Sequence, residues 1–200
     1  MSHDDDILPE TPSQTAGPYV HIGLAPNAAG IEGVYGTDLG FEIAGSAAQG
    51  ERIEIVGAIR DGFGSVIKDA LIEVWQADHE GLYQGQDGGD PALGGWGRVA
   101  ADQATGAFRI STIKPGSVRT VGGQHAPHLT LWIVARGINL GLHTRIYFDD
   151  EDAANAADPL LSRIEHKGRI QTLLARQVGN GKYQFDIHLQ GPDETIFFDI

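Results

Sequence analysis

Among the residue types that support chemistry, histidine is plentiful: His3, His21, His79, His125, His128, His143, His166 and His188. None falls in an H-E-x-x-H or H-x-H arrangement, so no ready-made metal pair is written locally. His125 and His128 offer two imidazoles three residues apart, but one sits in a Gly-rich loop and the other opens a β-like run, a spacing more often incidental than ligating. The chain has no cysteine, which excludes thiolate ligands, a thiol nucleophile and a disulfide framework. No phosphate-cradling G-x-x-x-x-G-K-[ST], no G-x-G-x-x-G and no G-x-S-x-G elbow occurs. Asp4, Asp5 and Asp6 read as a solvated tail. Arg136 stands out: it follows the most apolar run, residues 129–135, and precedes Gly137. A guanidinium fork projecting from the end of a rigid strand suits a carboxylate.

The elements that must position these residues are short. From residue 51 onward the sequence alternates in runs separated by turn signals. Runs at residues 52–59, 66–75, 108–113, 128–135, 142–148, 183–189 and 195–198 predict seven strands and an all-β, antiparallel sandwich. Asp61-Gly62-Phe63-Gly64 predicts a tight turn. Residues 1–50 lack this pattern and are rich in Gly, Pro, Ala and Asn; they predict an extended N-terminal arm, with Leu8-Pro9 and Thr11-Pro12 favouring extended backbone. Residues 51–200 form the body. Residues 149–177 turn Ala/Leu-rich and predict short helical turns with Asp150 as an N-cap, the stretch from 169 to 176 being open between helix and strand. Residues 78–97 predict a long functional loop.

Composition narrows the partners. Two hundred residues are one domain's worth. Fourteen Lys and Arg against 27 Asp and Glu leave a formal charge of -13, which argues against nucleic acid or an anionic membrane. The longest apolar run is too short to span a bilayer, and the amino terminus is acidic where a secretory signal is basic and then apolar. A cytoplasmic location fits the absence of cysteine.

Several segments resemble the intradiol ring-cleaving dioxygenases. They are Glu10-Thr11-Pro12-Ser13-Gln14-Thr15-Ala16-Gly17-Pro18-Tyr19, Leu71-Ile72-Glu73-Val74-Trp75-Gln76-Ala77-Asp78, Thr112-Ile113-Lys114-Pro115-Gly116, Ala135-Arg136-Gly137-Ile138-Asn139, His143-Thr144-Arg145-Ile146-Tyr147-Phe148-Asp149-Asp150 and Glu194-Thr195-Ile196-Phe197-Phe198-Asp199. The resemblance is strongest to the iron-free α chains of the family's two-chain members. It implies Fe(III) held by two tyrosinates and two histidines in the catalytic chain. Here Tyr83 matches the first tyrosine and His128 the first histidine, whereas Val118 or a neighbour stands for the second tyrosine and Thr130 for the second histidine. No tyrosine occurs between Tyr83 and Tyr147, so no shift of alignment restores the set. His125 replaces the family's arginine just before the first histidine. Hard Fe(III) wants anionic oxygen donors, and one phenolate with one imidazole is half a site. The resemblance therefore implies a chain with no catalytic residues of its own and no metal, Tyr83 and His128 being remnants of a lost iron site. Fe(III) is then bound by a partner β chain in a larger hetero-oligomer. The substrate implied is protocatechuate (3,4-dihydroxybenzoate), opened with O2 to 3-carboxy-cis,cis-muconate, and the substrate-binding residues carried over by motif are Thr15, Gly17, Pro18 and Arg136. Two rivals remain at this stage: a self-sufficient iron dioxygenase using Tyr83, His128 and His125, and a non-enzymatic transthyretin-like binding sandwich.

Overall fold

The computed structural model describes residues 14–199; the Leu8-Pro9 and Thr11-Pro12 pairs and the 4–6 acidic run lie outside them. After a short helix, α1 (Pro18–Leu24), come β1 (Arg52–Arg60), β2 (Leu71–Gln76), β3 (Trp96–Ala100), β4 (Ala107–Ile113), β5 (Val118–Thr120), β6 (Gly123–His125), β7 (His128–Val134) and β8 (Leu142–Phe148). Two helices, α2 (Asp152–Ala157) and α3 (Pro159–Arg163), and a 3-10 helix (Lys167–Leu173) lead to β9 (Leu174–Gly179), β10 (Lys182–Gln184) and β11 (Ile187–His188). No helix among the described residues is long and apolar enough to cross a membrane.

Nine strands form one continuous sheet in the order β11-β1-β10-β9-β8-β7-β2-β3, with β4 paired to β1; β5 and β6 make a separate hairpin. The all-β class holds, but the sheet is mixed rather than antiparallel, because β1 runs parallel to both β10 and β11, and β8 parallel to β9. The sheet curls so that both halves face one core. Ile53, Ile55, Phe108 and Ile110 from one half pack with Ile72, Val74, Leu131, Ile133 and Phe148 from the other. The strand alternation fixes which side chains point inward, since successive residues face opposite sides.

Departures from the sequence expectation have local causes. The run at 183–189 is two strands because Gly57 faces the Phe185 carbonyl and the ladder opens there. Phe185 N–H donates to Val56 O (2.9 Å), and the Asp186 carboxylate takes the Ala58 N–H (2.9 Å), so both β1 groups stay paired. Residues 195–198 make an isolated bridge, Phe198 to His143, rather than a strand. The 66–75 run shortens to β2, with Val66 bridged to Arg60. The 78–97 stretch ends in a strand, β3, and the arm contains a helix. Residues 167–179 are a 3-10 helix followed by a strand. Asp150 does not cap α2, whose N-cap is Glu151; it pairs with Lys114 at 2.7 Å. The helix-capping aspartate is Asp158, which is fully buried and accepts from Leu160 N–H (2.7 Å) and Leu161 N–H (2.9 Å).

A Cβ added at Gly57 would lie 1.7 Å from the Phe185 carbonyl oxygen. Gly57→Ala is expected to cost about 3 kcal/mol or more through forced separation of β1 from its parallel partners, read as a lowered midpoint in urea unfolding; an unchanged midpoint would show that this edge is free to relax.

Candidate functional site

The four positions that the resemblance matches to a metal site lie on the loop before β3 (Tyr83), at the start of β5 (Val118) and on β7 (His128 and Thr130). Gly81 and Gly116, from the Gly81-Leu82-Tyr83 and Lys114-Pro115-Gly116 segments, let two backbones pass closely. A Cβ at Gly81 would sit 2.0 Å from Ser117 O, and one at Gly116 would sit 2.4 Å from His79 O. Gly116 N–H donates to Asp78 O at 2.7 Å, and the buried Asp78 carboxylate takes N–H groups from Glu80, Leu82 and Asp90. This crossing puts Tyr83 beside the start of β5. Val118 is buried and lies opposite His125 in the hairpin. His128 lies opposite Tyr147, and Thr130 opposite Arg145.

Arg145 and the buried Asp158 bring one charge of each sign to this region. Arg145 Nη1 donates to the Tyr147 hydroxyl (3.2 Å) and lies 3.4 Å from His125 Nδ1. Asp158 Oδ2 accepts from Ala126 N–H (2.8 Å) and lies 3.3 Å from His125 Nδ1. His128, 3 % exposed, donates from Nδ1 to Ala126 O at 2.7 Å and packs 5.6 Å from the Tyr147 ring. Burial, aided by the Arg145 charge, pushes His128 down to about 4, so its imidazole is neutral. Burial raises the Tyr83 phenol, with Arg145 pulling the other way. Tyr147 is pushed up to about 12, again mainly by burial.

These residues do not fit a ferric ion. Tyr83 is the one phenol among the four positions, Val118 and Thr130 bring neither phenolate nor imidazole, and the Arg145 guanidinium lies close enough to perturb both Tyr83 and His128. A fixed cation opposes a trivalent one, and the one buried carboxylate nearby, Asp158, is already engaged by backbone N–H groups and His125. Among the described residues no group of three or more His, Asp and Glu side chains is placed to hold a metal. Arg145 and Asp158, which meet through His125, were not visible as part of this site in the sequence.

The residues carried over for substrate assemble elsewhere. Arg136 lies on a turn just beyond β7, with Ile138 N–H donating to Ala135 O (3.1 Å) and Gly137 left-handed at φ +89°. Thr15 is tied to this turn: Gly137 N–H donates to its Oγ1 at 2.6 Å, and Oγ1 lies within 3.4 Å of Ala135 O as donor. Its hydroxyl thus brackets Arg136 from both sides. Gly17 is the N-cap of α1, and a Cβ there would meet nothing within 4 Å, so packing within this chain does not require glycine. Pro18, at the first helical position where a missing N–H costs nothing, joins Arg136, Lys68, Asp69, His21 and Ile22 around an open groove of about 920 Å³. Arg136 Nε donates to Asp69 Oδ2 at 3.2 Å with most of the side chain exposed. Lys68 is a second cation on this groove that sequence reading did not single out.

A family model described as Dioxygenase matches residues 37–191, and the chain belongs to that dioxygenase family. It is 46% identical over 198 residues to the protocatechuate 3,4-dioxygenase alpha chain of Pseudomonas putida, covering 97% of this chain and 98% of that one. It is 39% identical to the alpha chain of the same enzyme from Burkholderia cepacia (96% and 98% covered). To the beta chain from that organism it is 32% identical over 161 residues (73% and 67% covered). Among solved structures, 3-chlorocatechol 1,2-dioxygenase from Rhodococcus opacus 1CP shares the fold with a TM-score of 0.61 at 19% identity, covering 79% of this chain and 67% of that one.

Because the folded His128 takes up its proton only near pH 4 whereas an unfolded histidine does so near pH 6.5, the unfolded chain binds more protons between these values. The stability contribution is complete above pH 6.5 and is lost as pH falls toward 4. His128→Gln is expected to flatten the fall in Tm over that window relative to the native sequence, measured by calorimetry at several pH values. Equal slopes would place the proton uptake on other groups.

Proposed function

We propose that this chain is the iron-free α subunit of a protocatechuate 3,4-dioxygenase, working with an iron-bearing β chain in the cytoplasm. On this reading Thr15, Gly17, Pro18 and Arg136 form one wall of the pocket in which protocatechuate reacts with O2, and Fe(III) belongs to the β chain. The observation that carries the reading is a separation. His128 opens β7 and Arg136 lies on the turn beyond its last residue, Val134; the six steps of strand alone are roughly 20 Å. An aromatic ring spans about a third of that. The substrate-wall residues therefore cannot serve a metal held at His128 of the same chain, which speaks against the self-sufficient rival. A wall without a metal of its own is what a shared site between two related chains requires.

The arm supports the partner half of the proposal. Residues 1–50 are read as the segment touching partner and pocket, and 51–200 as the sandwich-like body, its two half-sheets sharing one core. Along the arm Tyr19, Val34, Tyr35, Leu39 and Phe41 are exposed, Tyr19 and Phe41 by 83% and 75%. Such a row of large apolar side chains marks an interaction surface. The relationship to both alpha and beta chains of one organism supports a related β chain as the partner class.

Expressed alone, the chain is expected to be colourless and inactive and to hold no stoichiometric iron. Ferric tyrosinate absorption in the isolated chain, with iron near one per chain by metal analysis, would overturn the assignment of the metal to the partner. In the assembled enzyme, Arg136→Ala is expected to raise KM for protocatechuate by a factor corresponding to about 1–3 kcal/mol, with a smaller effect on kcat, since the carboxylate is remote from the breaking bond. Catechol, which lacks the carboxylate, should change much less; equal losses for both substrates would assign Arg136 to assembly.

A further inference from the structure

The helix that carries Pro18 into the groove has no buried residue of its own. A seven-residue helix is marginal in isolation, and half-buried residues such as Val20 and Leu24 give it only partial packing. Its position depends on what ties its two ends to the sheet. At the leading end the Thr15 hydroxyl grips the backbone around Arg136. At the trailing end the tie is Arg98, on β3. Its Nη1 donates to the carbonyl of Leu24, the last residue of α1, at 2.9 Å. Its Nε and Nη2 both donate to Glu73 Oε1 on β2, at 3.1 and 2.7 Å. The guanidinium also stacks 5.0 Å over the Trp96 ring. Both charged side chains are largely shielded, 12% and 17% exposed, so the pair is in a setting where hydrogen bonds and charge act strongly.

Arg98 grips the arm a second time through its backbone. Its N–H donates to Gly40 O at 2.9 Å. Gly40 is left-handed at φ +81°, and a Cβ there would lie 2.8 Å from Arg98 N and from the Trp96 ring, so the arm lies flat on this strand. One residue on β3 therefore holds both the end of α1 and the returning arm at residue 40. We propose that Arg98, oriented by Glu73, is a positioning residue for the substrate wall: it fixes α1, and hence Pro18 and the Thr15–Arg136 contact, relative to the sheet. The chemistry calls for arginine specifically. One guanidinium must donate to a carboxylate and a carbonyl at once while lying flat on an indole, and a lysine ammonium has neither the fork nor the plane for this.

The inference rests on the proposed function, because the wall matters to substrate only in the assembled α/β enzyme. The test is made on that complex with Arg98→Lys and with the double variant Arg98→Met/Glu73→Gln, which removes both charges so that no unpaired carboxylate is left buried. Arg136→Ala is assayed in parallel. In both Arg98 variants, KM for protocatechuate is expected to rise by about fivefold or more, as for loss of a charged hydrogen bond, with kcat within about twofold and iron content unchanged. Hydrogen exchange of the residue 19–25 amides should accelerate in the same samples. Unchanged KM in assembled variants whose 19–25 amides do exchange faster would overturn the positioning role, and so would unchanged exchange. A parallel fall in kcat and in complex yield would make Arg98 a structural residue only. If Arg136→Ala also leaves KM unmoved, the reading of the groove as a substrate wall fails instead.

Discussion

The burial of β7 is the constraint on which the rest of the molecule depends. Leu129, Leu131 and Ile133 have no exposed surface, and the strand runs between β8 and β2 with six register pairs to each. Burying three such side chains stabilises the fold by roughly 5–9 kcal/mol. A register slip of one residue would turn all three to the opposite face, so the strand has one permitted position. Everything with chemical character is attached to its ends. His128 begins it and is held against Tyr147; the Arg136 turn leaves it and is held by Thr15. The distance between the two candidate regions is set by the length of a strand that cannot move.

Around this frame, loops are fixed largely by carboxylates. Asp78 and Asp158 are buried, and each uses both oxygens to accept backbone N–H groups: Glu80, Leu82 and Asp90 for the first, Leu160, Leu161 and Ala126 for the second. Asp90 in turn accepts from Gln49 and Ala92, and those bonds hold its carboxyl below the usual range. In the loop at residues 78–95 these carboxylates add to backbone turns such as Gln86 N–H to Tyr83 O and Leu93 N–H to Asp90 O. Part of the chain's acidity is thus spent on architecture. Lys114 shows the converse: a shielded cation between Asp150 and Glu151 and over the Phe148 ring, joining the Lys114-Pro115-Gly116 turn to the end of β8.

The region that the resemblance matches to a metal site is held by polar contacts of its own. The glycine crossing sets Tyr83 beside β5, and β7 carries His128 and Thr130. Arg145 meets the Tyr147 hydroxyl at 3.2 Å and His125 at 3.4 Å, and His125 meets Asp158 at 3.3 Å. A valine and a threonine at the other two positions offer a trivalent cation neither phenolate nor imidazole.

Legibility in the sequence followed burial on one face. Strands with one face in the core, at 52–60, 107–113, 128–134 and 142–148, announce themselves by alternation, because side chains facing water and core must differ. The elements that escaped have no such face. α1 buries nothing, β5 and β6 are three residues each, and β3 is an edge strand whose pattern is mostly half-buried. The break between β10 and β11 is invisible because its cause, Gly57, lies about 130 residues away in the chain. Residue types alone established that no tyrosine lies between Tyr83 and Tyr147 and that threonine follows His128 where a second histidine belongs, so the metal donors are missing whatever the fold. Only the tertiary structure decided that Thr15 grips the Arg136 turn, that Arg145 lies beside His125 and Tyr147, and that these two places are a strand's length apart. Alternation tells each strand which face is inward but not which strand it will lie beside, and that choice of neighbours brings distant residues into one site or keeps them in two.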